Sequence, residues 1–383
     1  MFSRCLLKAL WQRQFSLFRR HIPKIPLFIF VHILTSFTPT LLKWYEANGR
    51  VHLPWRNITD PYAIWVSEVI LQQTQVVQGH DYYLRFIQNF PTYKHLAAAQ
   101  EDEVLRLWQG LGYYSRARNM HAAAKSLADK DEFPQTYEEI HSLKGIGEYT
   151  AAAICSFAYN QPYAVVDGNV YRVLARYFGI STPIDTSAGK KEFSLLANEL
   201  LDRRNSAIYN SAIMDFGAIQ CRPKSPECTL CPLCETCVAY QEKKVEELPV
   251  KSKKVTIKER HFTYFVIVHS DTIFLQKRSA GDIWQGLYEP LLLTSNKKND
   301  FIVATKHIQK YFKGQKFSIS LIAEGVKHIL THQRLIIDFY QVDFSKSPKI
   351  AKDQFIAIKK EELHNYGMPQ VVKKILFKHL GIT

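Results

Sequence analysis

Four cysteines, Cys221, Cys228, Cys231 and Cys237, fall within seventeen residues in a C-x6-C-x2-C-x5-C spacing. Thiolates crowded this closely need a shared partner: an iron–sulfur cluster, a zinc ion or one another. Disulfides fit poorly, because the total of seven cysteines is odd. Bridged frameworks also belong to small secreted domains, and a chain of 383 residues can bury a large core. Structural zinc usually takes two C-x2-C hooks well apart in sequence. Ligands gathered in one loop suit a compact cubane, and all-cysteine ligation is the usual pattern for [4Fe–4S]. The spacing therefore favours an iron–sulfur cluster over zinc. It leaves the fourth ligand open, because Cys234 makes an alternative C-x2-C-x2-C-x2-C run from Cys228. Cys155 sits in an apolar helical pattern and reads as core, and Cys5 lies in the N-terminal stretch.

The formal net charge is +15, with a pI of about 9.3. That balance favours a polyanion partner, nucleic acid before an anionic membrane. An apolar fraction of 46% with scattered charges indicates a globular chain, and the length suggests two or three domains. The first 45 residues hold seven Lys or Arg and no acid before Glu46. The apolar run 25–37 is too short, and too interrupted by Pro26 and His32, to span a bilayer. A transit segment, a signal-like segment and a start placed too far upstream compete here. We favour an ill-placed start or a dispensable extension over 1–37, with organelle targeting as the alternative.

From 38 to 240 the periodicity is helical: Trp65, Val66, Val69 and Ile70 recur at helical spacing, as do Leu105, Trp108 and Leu111. Asp60 and Pro61 read as an N-cap and first helical residue for the segment carrying Glu68. Residues 242–259, EKKVEELPVKSKKVTIKE, show charge without a core pattern and read as a linker. Beyond them, strands are predicted over 262–269, 272–276 and 335–342, so the C-terminal part reads as a separate α+β domain.

The run LKGIGEYT at 143–150 joins two helical segments. Gly145 and Gly147 allow a tight turn that presents backbone N–H groups at a helix start, a geometry that binds a phosphate oxygen. Lys144 adds a cation. An ordinary helix corner is the plain alternative, but the basic chain and the cysteine loop downstream favour the DNA backbone.

Taken together, LKGIGEYTAAAI, VVDGNVYRVLARYFG and the cysteine loop resemble the helix-hairpin-helix, iron–sulfur DNA glycosylase superfamily. LPWR, WVSEVILQQTQV and WQGLGYYSRARNM are similar to the adenine DNA glycosylase (MutY) family in particular. The resemblance runs from about Leu42 to the C-terminus. It implies a multidomain chain: a mostly α helix-hairpin-helix core over 38–240 with a [4Fe–4S] loop at 221–237, a linker over 241–259, and an α+β Nudix-like domain over 260–383. It implies Cys221 rather than Cys234 as the fourth cluster ligand. The implied substrate is double-stranded DNA with adenine opposite 8-oxoguanine or guanine. A monomer is expected, cytoplasmic, on the nucleoid and without a membrane partner.

Cleaving an adenine glycosidic bond needs a proton for the leaving base and an anion for the cation-like sugar, work that two carboxyls in different surroundings can divide. Glu68 lies in an apolar helix beside Ile64, Trp65 and Leu71, which should raise its pKa; the resemblance makes it the acid. Asp167 precedes a helix, where it would otherwise be a plain N-cap; the resemblance makes it the stabilising anion, supported by Asn169. Tyr149 replaces the nucleophilic lysine of the related endonuclease III family, so a monofunctional glycosylase is expected, with Tyr149 bonded near Asp167 and the sugar. The resemblance also assigns Tyr114, beside Arg116 and Arg118, as a wedge, Gln73 to the gap left by the extruded base, and Arg56 and Trp55 to the adenine pocket. The segment after Gly286 lacks the R-E-x-x-E-E carboxylates of a Nudix hydrolase and offers only Glu289, so that domain is expected to read the lesion strand. Thr331 and His332 match a lesion-reading Phe-Ser-His turn, with Leu330 in place of the Phe. Ser211 is a further departure, at a place where some relatives carry an acid.

Overall fold

The computed structural model describes residues 27–252, 256–350 and 354–382. They divide into two compact units: residues up to 69 with 131–254, and 70–130 with 255–383. The helical stretch of the sequence is therefore shared between units, its middle third grouping with the C-terminal sheet.

The first unit is helical, with the main helices Leu27–Asn48, Glu148–Tyr159, Gly168–Phe178, Ser187–Leu200 and Ser206–Ile219, and most of Pro61–Leu71. Local capping sets several of their ends. Asp60 Oδ1 accepts from Tyr62 N at 2.9 Å ahead of Pro61, as the sequence predicts. Thr136 and Glu139 form a capping box at the Tyr137–His141 helix. Gly179, at φ +68°, ends Gly168–Phe178, and a Cβ there would lie 2.5 Å from Val238 Cγ1. The left-handed backbone and the close approach of the residue after Cys237 both call for glycine.

Phe37, Val173, Phe178, Phe193, Ile213 and Phe216 build the core of this unit. Phe37 is fully buried, with its ring 4.8 Å from that of Tyr177, so the boundary expected at 37 falls inside a helix and a core. Residues 1–26 of the expected extension, Cys5 among them, lie outside the described residues. The predicted linker also begins inside this unit. Leu248 is buried in the core, and Val250 O accepts from Ile184 N at 3.0 Å. The charged residues of 242–247 are exposed, which hid the apolar contacts of Val245, Leu248 and Val250 from a charge-based reading. Cys155 is fully buried, as expected.

The second unit joins helices Val76–Asn89, Tyr93–Ala98, Glu101–Leu107 and Ser115–Leu127 to a mixed sheet and to helices Phe301–Tyr311 and Gln370–Leu380. The strands are β1 (Lys258–His269), β2 (Thr272–Lys277), β3 (Tyr288–Glu289), β4 (Leu291–Ser295), β5 (Phe317–Ile329), β6 (Gln333–Phe344) and β7 (Ile356–Lys359). Along one side β1 pairs in parallel with β6, with Phe262 opposite Ile337, and β5 continues antiparallel beyond. Along the other side β4 and β2 share the length of β1, and β2 carries β3 and β7. Residues 262–267 of β1 are all buried, as expected of a central strand covered on both faces. Among the described residues no helix is long and apolar enough to cross a membrane.

Candidate active site

Glu68 sits two turns into the Pro61–Leu71 helix and is only 8% exposed, behind Ile64 and Trp65. Burial pushes its carboxyl pKa up; one hydrogen bond and the nearby Arg56 oppose that, and Asp167 adds to it. The hydrogen bond comes from Tyr149, whose hydroxyl donates to Glu68 Oε2 at 2.8 Å. Tyr149 bonds Glu68, and the charge of Asp167 is near enough to raise the phenol's pKa further. Tyr149 is brought there by the hairpin. Gly145 turns the chain at φ +83°, Ile146 is buried, and the next helix starts at Glu148 with Gly147 as its N-cap. Lys144, Gly145 and Gly147 are exposed, as a phosphate-binding turn requires.

Asp167 is the N-cap of Gly168–Phe178, with Oδ1 accepting from Asn169 N and Val170 N at 2.8 Å each. Asn169 Nδ2 donates to Oδ2 at 2.7 Å. Burial raises this carboxyl's pKa, and those three donors, with the cation of Arg172, pull it back. The two carboxyls thus share one desolvated region with unequal support: a single hydroxyl for Glu68, three N–H donors and a helix N-terminus for Asp167.

Sequence reasoning missed the groups behind them. Arg172 donates to Asn169 Oδ1 at 2.8 Å, to Gly217 O at 2.6 Å and to Cys221 O at 2.7 Å. Arg176, one turn on, donates to Arg222 O at 2.7 Å and Leu248 O at 3.1 Å and reaches Cys221 Sγ at 3.5 Å. Asp215 is fully buried and accepts from Arg50 at 2.6 Å and Arg56 at 3.1 Å, while Arg56 also donates to Ser211 Oγ at 2.7 Å. Ser211 thus holds Arg56 by a neutral hydroxyl. Trp55 is buried beside Arg56 in sequence. The signal for Asp215 was present: it is the one acid in the apolar helix SAIYNSAIMDFGAI.

Cys221, Cys228, Cys231, Cys234 and Cys237 line one cavity, backed by Val173, Tyr177, Phe216 and Leu233. All six described cysteines are free thiols. Among the described residues no three His, Cys, Asp or Glu are gathered tightly enough to hold a single metal ion. An apolar cavity ringed by thiols fits a multi-atom cluster better than one zinc ion. Burial raises the thiol pKa of Cys231 to about 12 and of Cys237 to about 11, and Cys221 is the first neighbouring thiol to add to each.

The second unit holds the remaining candidates. Gln73 is exposed at φ +55°. The aromatic pair splits: Tyr114 is 5% exposed with its hydroxyl on Gly110 N at 3.3 Å, whereas Tyr113 is 43% exposed at φ +45°. The expected wedge at Tyr114 is thus a core side chain, and Tyr113 faces outward. Arg116 spends its guanidinium on Gln72 O at 2.7 Å and Leu111 O at 3.2 Å, bracing the loops that carry Gln73 and Tyr113. Burial lowers its pKa to about 10. Arg118 donates to Gln285 O at 2.7 Å. Leu330, Thr331 and His332 form the tip between β5 and β6, where Leu330 N donates to Gln333 O at 2.8 Å. The Thr331 hydroxyl bonds that of Tyr113, and both line a cavity of about 480 Å³ with Trp284, Asp282 and His332. Glu289 is buried, bonded by Arg278 at 2.8 Å and the Tyr264 hydroxyl at 2.8 Å, and so is committed to the core.

Residues 66–199 match the model of the HhH-GPD superfamily of base excision DNA repair proteins, and 263–378 that of the NUDIX domain. The chain is 33% identical over 351 residues to the adenine DNA glycosylase of Buchnera aphidicola subsp. Schizaphis graminum, covering 89% of this chain and 97% of that one. It is 40% identical over 241 residues to the mouse adenine DNA glycosylase, covering 60% of this chain and 47% of that one. A thermostable thymine-DNA glycosylase structure aligns at TM-score 0.51 and 27% identity, covering 55% of this chain and 98% of that one.

The split of the tyrosine pair is testable by unfolding. Tyr114→Ala should cost about 3–5 kcal/mol in urea denaturation, and Tyr113→Ala under about 1 kcal/mol; equal losses would contradict the assignment. Glu68 should show in thermal melts against pH. Its raised pKa means the folded state holds the proton more tightly than the unfolded chain, so its stabilisation is full at acid pH and is lost as pH rises through the folded pKa. Glu68→Gln should therefore melt with the wild type at acid pH and above it at neutral pH. A constant gap would show that Glu68 does not titrate in this way.

Proposed function

Because the chain belongs to the adenine DNA glycosylase family, and is thus a base-excision DNA glycosylase, we propose that it hydrolyses the N-glycosidic bond of adenine opposite 8-oxoguanine or guanine, as a monomer on duplex DNA. The observation that carries this reading is the unequal support of two carboxyls, Glu68 buried and Asp167 partly buried. Glu68, with one donor, keeps its proton; Asp167, with three donors, stays ionised.

The adenine leaves the stack and enters the region lined by Trp55 and Arg56. Arg56 is suited to hold it, since its Nε has no acceptor among the described residues. Glu68 donates its proton to N7 of adenine, weakening the bond from N9 to the sugar. That bond breaks, its electron pair leaves with the base, and the Asp167 carboxylate stabilises the cationic sugar through space. Glu68, now a carboxylate, takes a proton from the water that attacks the sugar. Tyr149 holds Glu68 in place and has no amine, so no Schiff base forms and strand cutting waits for alkali.

Gly145 and Gly147 hold a phosphate through backbone N–H groups, and Asn169 orients Asp167. Tyr113, rather than Tyr114, wedges into the duplex, with Gln73 beside the gap. Thr331 and His332 read the opposite lesion. Glu289 is tied to Arg278, which favours a reader over a hydrolase for the C-terminal domain. Cys221, Cys228, Cys231 and Cys237 would hold the [4Fe–4S] cluster, which when bound supplies iron–thiolate bonds that fix the loop.

The test uses duplexes carrying adenine opposite 8-oxoguanine, adenine opposite guanine, and thymine glycol, with and without alkali. Cutting only at adenine and only after alkali is expected. Cutting at thymine glycol without alkali would overturn the reading. Glu68→Gln and Asp167→Asn should each lower single-turnover excision by about a thousandfold or more while leaving DNA affinity within about threefold.

A further inference from the structure

Five thiols, not four, line the cavity in the cysteine loop. The segment 228–237 is built from two successive 3-10 turns, Cys228–Leu230 and Cys234–Thr236. Each starts on a cysteine and is closed by the amide of the cysteine three residues on. Cys231 N donates to Cys228 O at 3.1 Å, and Cys237 N donates to Cys234 O at 3.3 Å. Cys234 N donates to Cys231 O at 3.0 Å and joins the two turns. The backbone therefore presents Cys234 and Cys237 as a C-x2-C hook built like that of Cys228 and Cys231. Cys221 comes from outside this segment. It follows the Ser206–Ile219 helix, with its amide on Phe216 O at 2.8 Å and its carbonyl taken by Arg172.

We propose that Cys234 is a reserve ligand that takes the fourth iron site when Cys221 is lost from it, so that 228–237 alone can hold the cluster. The proposal rests on the reading that this loop carries an iron–sulfur cluster. The exchange balances without a redox change. Cys234 releases its proton to solvent and binds iron as thiolate; the Cys221 thiolate leaves that iron and takes a proton from solvent. Two C-x2-C hooks supply four thiolates, the number an all-cysteine [4Fe–4S] cluster needs.

Iron content is the readout, because Arg172 ties the Cys221 carbonyl to the support of Asp167 and activity alone would not separate the two roles. Cys221→Ala, Cys234→Ala, the double variant and Cys228→Ala are purified anaerobically as full-length protein. Iron, acid-labile sulfide and visible absorption are measured for each. Cys234→Ala should match the wild type, and Cys221→Ala should keep at least about half its iron, while the double variant falls about tenfold, as Cys228→Ala does. Equal iron in Cys221→Ala and the double variant would overturn the proposal, because three cysteines would then account for whatever remains. Insoluble Cys221→Ala beside soluble Cys234→Ala would overturn it too. A wild type without iron would remove the cluster reading, and the reserve ligand with it.

Discussion

Two carboxyls in one desolvated region cannot both be comfortable as anions, and the first unit supports them unequally. Asp167 has its amides from the first turn of its helix and a side-chain amide from Asn169. Asn169 is held in turn by Arg172, whose guanidinium also donates to Gly217 O and Cys221 O. A Cβ on Gly217 would come within 2.6 Å of Asn169 Cβ, so the Ser206–Ile219 helix approaches closely because glycine stands there. Glu68 has Tyr149 and little else. The support of Asp167 thus runs from its own helix to the Ser206–Ile219 helix and ends at the cysteine loop, while that of Glu68 is a single hydroxyl.

The same economy of partners recurs around Asp215. A fully buried carboxylate is tolerable because Arg50 and Arg56 bind it directly; removing one partner of such a group typically costs about 3–5 kcal/mol. Its neutralisation of Arg56 also limits how far that cation can lower the pKa of Glu68. In the C-terminal sheet, Glu289 with Arg278 and Tyr264 solves the same burial problem.

Features written in contiguous residues were legible in the sequence. Asp60 and Pro61 start their helix, Gly145 and Gly147 form an exposed turn, Asp167 caps a helix, and the apolar runs at 262–269, 272–276 and 335–342 are strands. Features set by distant partners were not. Tyr113 and Tyr114 are neighbours of one type, and the positive φ of Tyr113, braced by Arg116, decides which is buried. Arg116 and Arg118 donate to carbonyls at Gln72 and Gln285, acceptors far away in sequence. β5 escaped notice because it is half exposed and its register breaks between Leu321 and Ala323 and again before Val326. Val245, Leu248 and Val250 are scattered among charges without helical or strand spacing, so their place against the core was invisible to periodicity.

The division of labour between Glu68 and Asp167 is tested most directly by the pH dependence of single-turnover adenine release from an adenine–8-oxoguanine duplex. Burial raises the Glu68 pKa, so we expect excision to persist above the ordinary glutamate range and to fall only as pH passes the raised value. Asp167→Asn should lower the rate and move that alkaline limb to lower pH, because a neutral neighbour no longer opposes ionisation of Glu68. An alkaline limb at the value of an exposed glutamate, unmoved by Asp167→Asn, would contradict the assignment of Glu68 as the buried acid.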